Sequence, residues 1–229
     1  MSIKKITFRI QRYKPGHIDP PRFQEYTIEV DPVTTVLDGL EKIRLEQDKT
    51  LMYRRSCHHS SCGTCACKIN GTERLACTTR VHELNTEVIT LEPMDGFPCL
   101  GDLVVDLQEF FEEFSEEWTY LKQMTNPEST RMPSGLKQFA HFENCIECGA
   151  CVSACPVNQK TKKFIGPAAL SAINIEIRKH TEKEEKLISR AGSKRGVILC
   201  EQALNCSRVC PTRVYPARHI NDLRRLLIE

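Results

Sequence analysis

Hydrophobic and polar residues alternate at the start of the chain. Ile6, Phe8 and Ile10 alternate with Thr7, Arg9 and Gln11, and Tyr26, Ile28 and Val30 repeat the pattern after a connection containing Pro15, Pro20 and Pro21. A period of two predicts two half-buried strands, because successive side chains of a strand point to opposite faces. Val36, Leu40 and Ile43 are instead spaced as on a helix, and Thr34 ahead of them suits an N-cap, which predicts a helix over about residues 35–47. Strand character resumes at 65–69, turns at Asn70-Gly71 and returns through 88–91.

From Leu103 the period changes. Leu103, Leu107, Phe110, Phe111, Phe114, Trp118 and Leu121 fall on one helical face, with Glu109, Glu112, Glu113, Glu116 and Glu117 mostly on the other. This predicts an amphipathic helix with a solvated acidic face. A Pro-containing stretch, 126–135, then marks a boundary. Beyond it the pattern is helical: Pro167 and Pro216 stand where a first-turn proline starts a helix, and Ile220, Leu223 and Leu227 continue the second. The fold class expected is α+β, with a small sheet domain over 1–101, an acidic linker helix and connection over 102–135, and an all-α domain over 136–229. Two strands, a crossing helix and further strands resemble the β-grasp arrangement of plant-type ferredoxins.

Neither a membrane span nor a signal peptide is expected. The most apolar stretch, 164–177, is interrupted by Gly166, Pro167, Asn174 and Glu176, short of the roughly 18–20 apolar residues a span requires. The basic residues near the N-terminus are interleaved with apolar ones and lead into no continuous apolar run. A formal charge of +2 argues against a general nucleic-acid binder, which needs a strongly basic face. Thirteen of the 229 residues are Cys, about 6%, below the roughly 8–10% of small disulfide-stapled scaffolds. An odd number cannot close completely into disulfides, and cysteines retained in a reducing compartment usually bind metal.

Their spacing divides them. Cys57, Cys62 and Cys65 form C-x4-C-x2-C, and Cys77 follows from a separate stretch, the plant-type 2Fe-2S pattern. Ser60, Ser61, Gly63 and Thr64 are small, so backbone N-H groups can approach the sulfides. Zinc also takes four thiolates, but structural zinc sites favour paired C-x2-4-C knuckles, whereas three ligands here crowd one loop. A Rieske centre needs a His after each Cys pair; His58 follows Cys57 and no His adjoins Cys77. Cys67 and Cys99 are expected to be core residues.

Cys145, Cys148, Cys151 and Cys155-Pro156 form the C-x2-C-x2-C-x3-C-P run of bacterial-type ferredoxins, and Cys200, Cys206 and Cys210-Pro211 repeat it with Ala203 at the second ligand position. In two-cluster ferredoxins the fourth Cys of each run ligates the other cluster. That rule assigns Cys145, Cys148, Cys151 and Cys210 to a 4Fe-4S site and leaves Cys155, Cys200 and Cys206 for a second one. Three thiolates suit a 3Fe-4S cluster, with burial beside Ala203 expected to keep water from serving as a ligand. A 4Fe-4S cluster completed by Glu201 or Gln202 is the alternative.

The whole pattern resembles the iron-sulfur subunit of the succinate dehydrogenase and fumarate reductase family. Arg54-Arg55-Ser56-Cys57, Leu75-Ala76-Cys77, the 101–106 stretch, the 145–156 run, the 164–168 stretch and the 200–211 run stand in that family's order. The resemblance implies a flavoprotein partner carrying FAD and a membrane anchor that binds quinone and can carry haem b. It implies electron flow through 2Fe-2S, 4Fe-4S and 3Fe-4S, no substrate chemistry on this chain, and a peripheral position on the cytoplasmic face of the plasma membrane. Succinate:quinone oxidoreductase is the reading it favours, with quinol:fumarate reductase as the rival inside the family and a zinc-loaded structural protein as the rival outside it. His141, His180 and His219 are expected to be exposed or to pack. The departures lie at the quinone end. Members often carry a Trp shortly after the first Cys-Pro and a His after the first Cys of the last run; here Val157 to Lys160 include no Trp, and Glu201 takes the His place. Pro156, Lys160, Glu201 and Ala203 are the residues expected nearest quinone, and Lys160, Lys162 and Lys163 could meet anionic headgroups.

Overall fold

The computed structural model describes residues 3–114, 145–161, 163–178 and 184–228. Trp118, Leu121, the 126–135 connection, His141, Lys162 and His180 lie outside them. The chain divides into two compact units, Met1–Leu107 with Ile146–Ser153, and Gln108–Cys145 with Ala154–Glu229.

The first unit is built on a five-stranded sheet. Strands β1 (Lys4–Lys14) and β2 (Ile18–Val30) are antiparallel, while β3 (Ala66–Ile69), β4 (Thr72–Leu75) and β5 (Val88–Glu92) complete the order β2-β1-β5-β3-β4. Alternation buries Ile6, Phe8, Ile10 and Arg12 on one face of β1 and Tyr26, Ile28 and Val30 on the same face of β2. Helix α1 (Val36–Glu46) covers this face with Val36, Leu37, Leu40 and Ile43. It comes so close that a Cβ on Gly39 would lie 2.3 Å from the Phe8 ring, so only glycine serves there. A two-stranded ribbon, β6 (Cys99–Gly101) with β7 (Val104–Val105), closes the unit.

Four expectations change. The helix is capped by Thr35, one residue later than expected: its hydroxyl accepts from Asp38 N at 3.2 Å while Asp38 accepts from Thr35 N at 2.9 Å. Thr34 is drawn off by Asp31, which accepts from its hydroxyl at 2.7 Å; only Thr35 has a carboxylate three residues on to complete a capping box. Pro20 and Pro21 lie inside β2 rather than between strands, which an edge strand tolerates because its outer N-H groups need no partner. The hairpin after Asn70-Gly71 returns through β4, with Ala66 opposite Leu75, whereas β5 runs parallel to β1. Finally, Leu103 sits in the β6–β7 ribbon, and the helix that follows, α2, covers only Gln108–Glu112 of the described residues.

Among the described residues from Gln108 onward the regular elements are helices and a 3-10 turn. They are α2, α3 (Ala150–Ser153, packed in the first unit), α4 (Pro156–Lys160), α5 (Pro167–Arg178), α6 (Glu184–Ala191), α7 (Asn205–Arg208) and α8 (Pro216–Leu226). Pro167 and Pro216 each open their helix, as expected. Helix α5 is the spine: every residue from Pro167 to Ile177 is buried, and Leu170 and Ile173 share a core with Leu187, Ala191, Ile220 and Leu223. No described helix is long and apolar enough to cross a membrane. The acidic run is only partly solvated, because Glu113 ion-pairs with Arg190 at 2.6 Å and with Arg195.

His219 is buried on α8 and its Nδ1 pairs with Asn174 Nδ2 of α5 at 3.1 Å. Burial first, then the charge of Arg218, lowers its pKa from 6.5 to about 4. Between those values the unfolded chain holds a proton that the folded one refuses, so stability is full above about pH 6.5 and falls as pH drops toward 4. The full loss is about 3 kcal/mol. The expected result is that His219→Gln, which can still bond Asn174, loses less melting temperature between pH 7 and pH 5 than wild type. An equal loss in both proteins would show that His219 does not set the slope.

Candidate iron-sulfur centres

The β3–β4 hairpin explains the long gap before Cys77. Cys65 immediately precedes β3 and Cys77 follows β4, so pairing of Ala66 with Leu75, extended by Ala76 N to Cys65 O at 3.2 Å, sets the two cysteines side by side. Both are buried. Cys57 and Cys62 stand on the loop before them. That loop holds His58, Ser60 and Gly63 at φ 62, 61 and 68, a left-handed backbone that turns N-H groups inward. The Cys57 sulfur accepts from His59 N at 3.5 Å and Ser61 N at 3.3 Å.

The thiols of this loop form a continuous group. Burial alone would raise the Cys62 pKa, yet the Thr64 hydroxyl and the N-H groups of Cys57 and Thr64 outweigh it and hold the thiol down to about 6. Burial dominates at Cys65 and pushes it up to about 12, with further repulsion from Cys77 and Cys62. A buried thiol of this kind ionises when a metal charge compensates it, so loading the site releases protons. Small residues, inward N-H donors and four adjacent thiols fit a 2Fe-2S cluster. Arg54 supplies a compensating charge: it is half-buried, burial lowers its pKa, and the Cys65 charge opposes that shift. Its neighbour Arg55 turns outward to Glu41 at 2.7 Å. Cys67 behaves as core, buried, with its thiol raised by burial. Cys99 is half-buried and its thiol donates to Asp102 O at 3.6 Å.

The two later runs share a backbone. After Cys145, Glu147 and Gly149 adopt φ 50 and 79; after Cys200, Gln202 and Leu204 adopt φ 57 and 62. The offsets are the same. Left-handed conformations cost a non-glycine residue roughly 1–2 kcal/mol, and strain of that kind concentrates at ligand-holding sites. The second run thus keeps a cluster-holding loop although Ala203 stands where the first has Cys148.

In the second unit Cys155, Cys200 and Cys206 line one small recess with Val157, Phe164 and Ala203. Cys155 stands at the N-cap of α4, and burial raises its pKa while the nearby N-H groups of Asn158 and Val157 act in the opposite sense. Cys206 is pushed up to about 11 by burial, then by the charges of Cys155 and Cys200. Three thiols within reach of one another around an apolar recess fit a 3Fe-4S cluster. One expectation fails: Ala203 is exposed, as are Glu201, Gln202 and Leu204, so this chain does not itself bury that corner. Glu201 pairs with Lys160 at 3.2 Å on the surface, and Pro156 lines the recess. Cys148 and Cys151 belong to the first unit, Cys145 and Cys210 to the second; Cys210 accepts from Val214 N at 3.2 Å. Among the described residues no group of His, Cys, Asp or Glu converges as a single ion would need; cluster ligands bind different irons and need not converge on one point.

A sheet unit with a C-x4-C-x2-C loop, joined to helices bearing two further cysteine runs, defines an iron-sulfur electron-transfer protein. Comparisons agree. A family model described as a 2Fe-2S iron-sulfur cluster binding domain matches residues 7–112, and one described as a 4Fe-4S dicluster domain matches residues 141–214. The chain is 33% identical over 221 residues to the fumarate reductase iron-sulfur subunit of Mycobacterium tuberculosis, covering 93% of this chain and 89% of that one. It is 32% identical over 235 residues to the same subunit of Wolinella succinogenes, covering 99% and 98%. In fold it is similar to a chain of the Mycobacterium smegmatis Sdh1 complex in the apo form, with a TM-score of 0.84 at 24% identity, covering 99% of this chain and 96% of that one. The chain belongs to the family of iron-sulfur subunits of succinate dehydrogenase and fumarate reductase.

Some functional residues carry no signature in the sequence. Gln202 and Leu204 are not turn formers, so their left-handed backbone becomes visible only through the repeat at Glu147 and Gly149. Arg54 stands in a recognisable motif, but nothing in the motif separates its inward course from the outward one of Arg55.

Proposed function

We propose that this chain is the electron-transfer subunit of a succinate:quinone oxidoreductase. It takes electrons from a flavoprotein carrying FAD and delivers them to quinone in a membrane anchor, to which any haem b would belong. Cys57, Cys62, Cys65 and Cys77 would hold 2Fe-2S, Cys145, Cys148, Cys151 and Cys210 would hold 4Fe-4S, and Cys155, Cys200 and Cys206 would hold 3Fe-4S. Bound there, the clusters supply one-electron relay centres. The protein's part is to hold the thiolates and to offset charge through Arg54 and the loop N-H groups. We divide the chain into a β-grasp domain over 1–101, a linker over 102–135 and an all-α dicluster domain over 136–229, docked peripherally on the cytoplasmic face of the membrane. The exposed 201–204 corner, with Lys160 and Pro156 beside it, is the part we assign to the anchor and its quinone.

The repeat of left-handed positions after Cys145 and Cys200 carries this reading, because it retains a cluster loop where a ligand is missing. The names of the curated relatives favour a second reading, quinol:fumarate reductase, in which the same centres run in reverse. Anaerobically purified protein is expected to contain about nine irons per chain, with matching labile sulfide, from clusters of two, four and three irons. Zinc without sulfide would overturn the proposal. Potentiometric titration of the three centres against the complex's own quinone separates the two directions: a quinone potential above the last centre supports succinate oxidation, and one well below it supports fumarate reduction.

A further inference from the structure

Within the first unit one contact links two of the proposed sites. A Cβ built on Gly63 would lie 2.6 Å from Cys148 Cβ, 2.9 Å from Cys148 Cα and 2.9 Å from Ile146 O. Gly63 stands between Cys62 and Cys65 of the first loop, and Cys148 is a proposed 4Fe-4S ligand. Two of the three clashing atoms are backbone, so no rotamer change could make room. The stretch that carries Cys148 is also anchored independently. Ser153 Oγ donates to the buried carboxylate of Glu73 on β4 at 2.7 Å and accepts from Asp95 N at 2.8 Å. The helical turn is thus pinned to the strand that leads to Cys77, and it cannot simply drift away from the loop.

We infer that Gly63 is a positioning residue for transfer between the first two centres, its missing side chain letting the 2Fe-2S loop rest directly on Cys148. The inference builds on the ligand sets proposed above. Clusters bound there would exchange single electrons with no bond or proton transferred, so the separation and packing of the two sites are what the protein can adjust. Left-handed backbone alone does not demand glycine here, because His58 and Ser60 in the same loop adopt φ 62 and 61 with side chains. The demand comes from the neighbour.

The test uses the purified complex and two variants. Gly63→Ala adds the Cβ, and Gly63→Asn adds it with a residue that accepts left-handed backbone. The readout is the broadening of the reduced 2Fe-2S EPR signal as the 4Fe-4S centre becomes reduced in a redox titration. Wild type is expected to broaden; both variants, at unchanged iron content, are expected to broaden less and to pass electrons between the centres more slowly. Full broadening in a variant that retains both clusters would overturn the inference. If neither variant assembles the first cluster, wild type still decides, because a 2Fe-2S signal indifferent to reduction of the second centre would exclude so close a contact. Wild type without either cluster signal would instead count against the ligand sets themselves.

Discussion

Asp102→Ala is expected to destabilise the first unit by roughly 3–5 kcal/mol, the range for removing one partner of a buried ion pair. Asp102 is 1% exposed; it accepts from Tyr13 N at 2.8 Å and Met52 N at 2.8 Å and ion-pairs with Arg12, whose Nε lies 3.0 Å away. Arg12 is itself 2% exposed, and its Nη1 reaches Asp48 at 2.5 Å, Gln24 at 3.1 Å and the Tyr26 hydroxyl. This network joins β1, β2, the end of α1 and the β6–β7 ribbon. Truncating Asp102 leaves two backbone donors unsatisfied and removes half of Arg12's compensating charge. It also places alanine at φ 42, which aspartate adopts more readily. Asp102→Asn keeps the shape and one acceptor, so it should lose less. Denaturant midpoints with unchanged slopes would measure both. A result for alanine within about 0.5 kcal/mol of wild type, as at an ordinary surface position, would show that the network is not load-carrying. Because Met52 begins the strap that ends at Cys57, lowered retention of the 2Fe-2S centre on warming is expected alongside.

What could be read from the chain alone follows from how local each signal is. The strand pair at Ile6–Ile10 and Tyr26–Val30, helix α1 and the proline starts at Pro167 and Pro216 all rest on neighbouring residues, and each appears where expected. Strand β4 escaped because Glu73 occupies a buried position in it, erasing the apolar alternation; its partner, Ser153, lies 80 residues away. Leu103 misled for a related reason. It is buried and in helical phase with Leu107, but Asp102 ties that stretch into a ribbon by bonds to Tyr13 and Met52. The cysteine runs were legible because thiolate spacing follows cluster size and scarcely depends on context. The contact of Gly63 with Cys148 was not, since a glycine needed for a distant neighbour looks like a glycine needed for a turn.

Ala203→Cys is the change with the largest expected effect on the cofactors. The matching φ values at Glu147 and Gln202, and at Gly149 and Leu204, put residue 203 where the first run presents Cys148. A thiol there would face the recess lined by Cys155, Cys200 and Cys206 and complete a four-thiolate set. Residue 203 is exposed, so the larger side chain meets no packed core and the stability cost should stay within about 0.5 kcal/mol. The site should then take a fourth iron. Iron per chain should rise by one, from about nine to about ten, and the spin-half EPR signal expected of the oxidised wild-type centre should disappear. A fourth iron and a fourth thiolate alter the charge at a corner open to solvent, and both variables tune potential. The last centre should become harder to reduce, so electron delivery to quinone should slow while reduction of the first two centres is unaffected. Unchanged iron content and an unchanged oxidised EPR signal would mean that the missing cysteine does not decide the cluster type. The alternative, a wild-type 4Fe-4S centre completed by Glu201 or Gln202, predicts about ten irons before any substitution, so the wild-type count already separates the two.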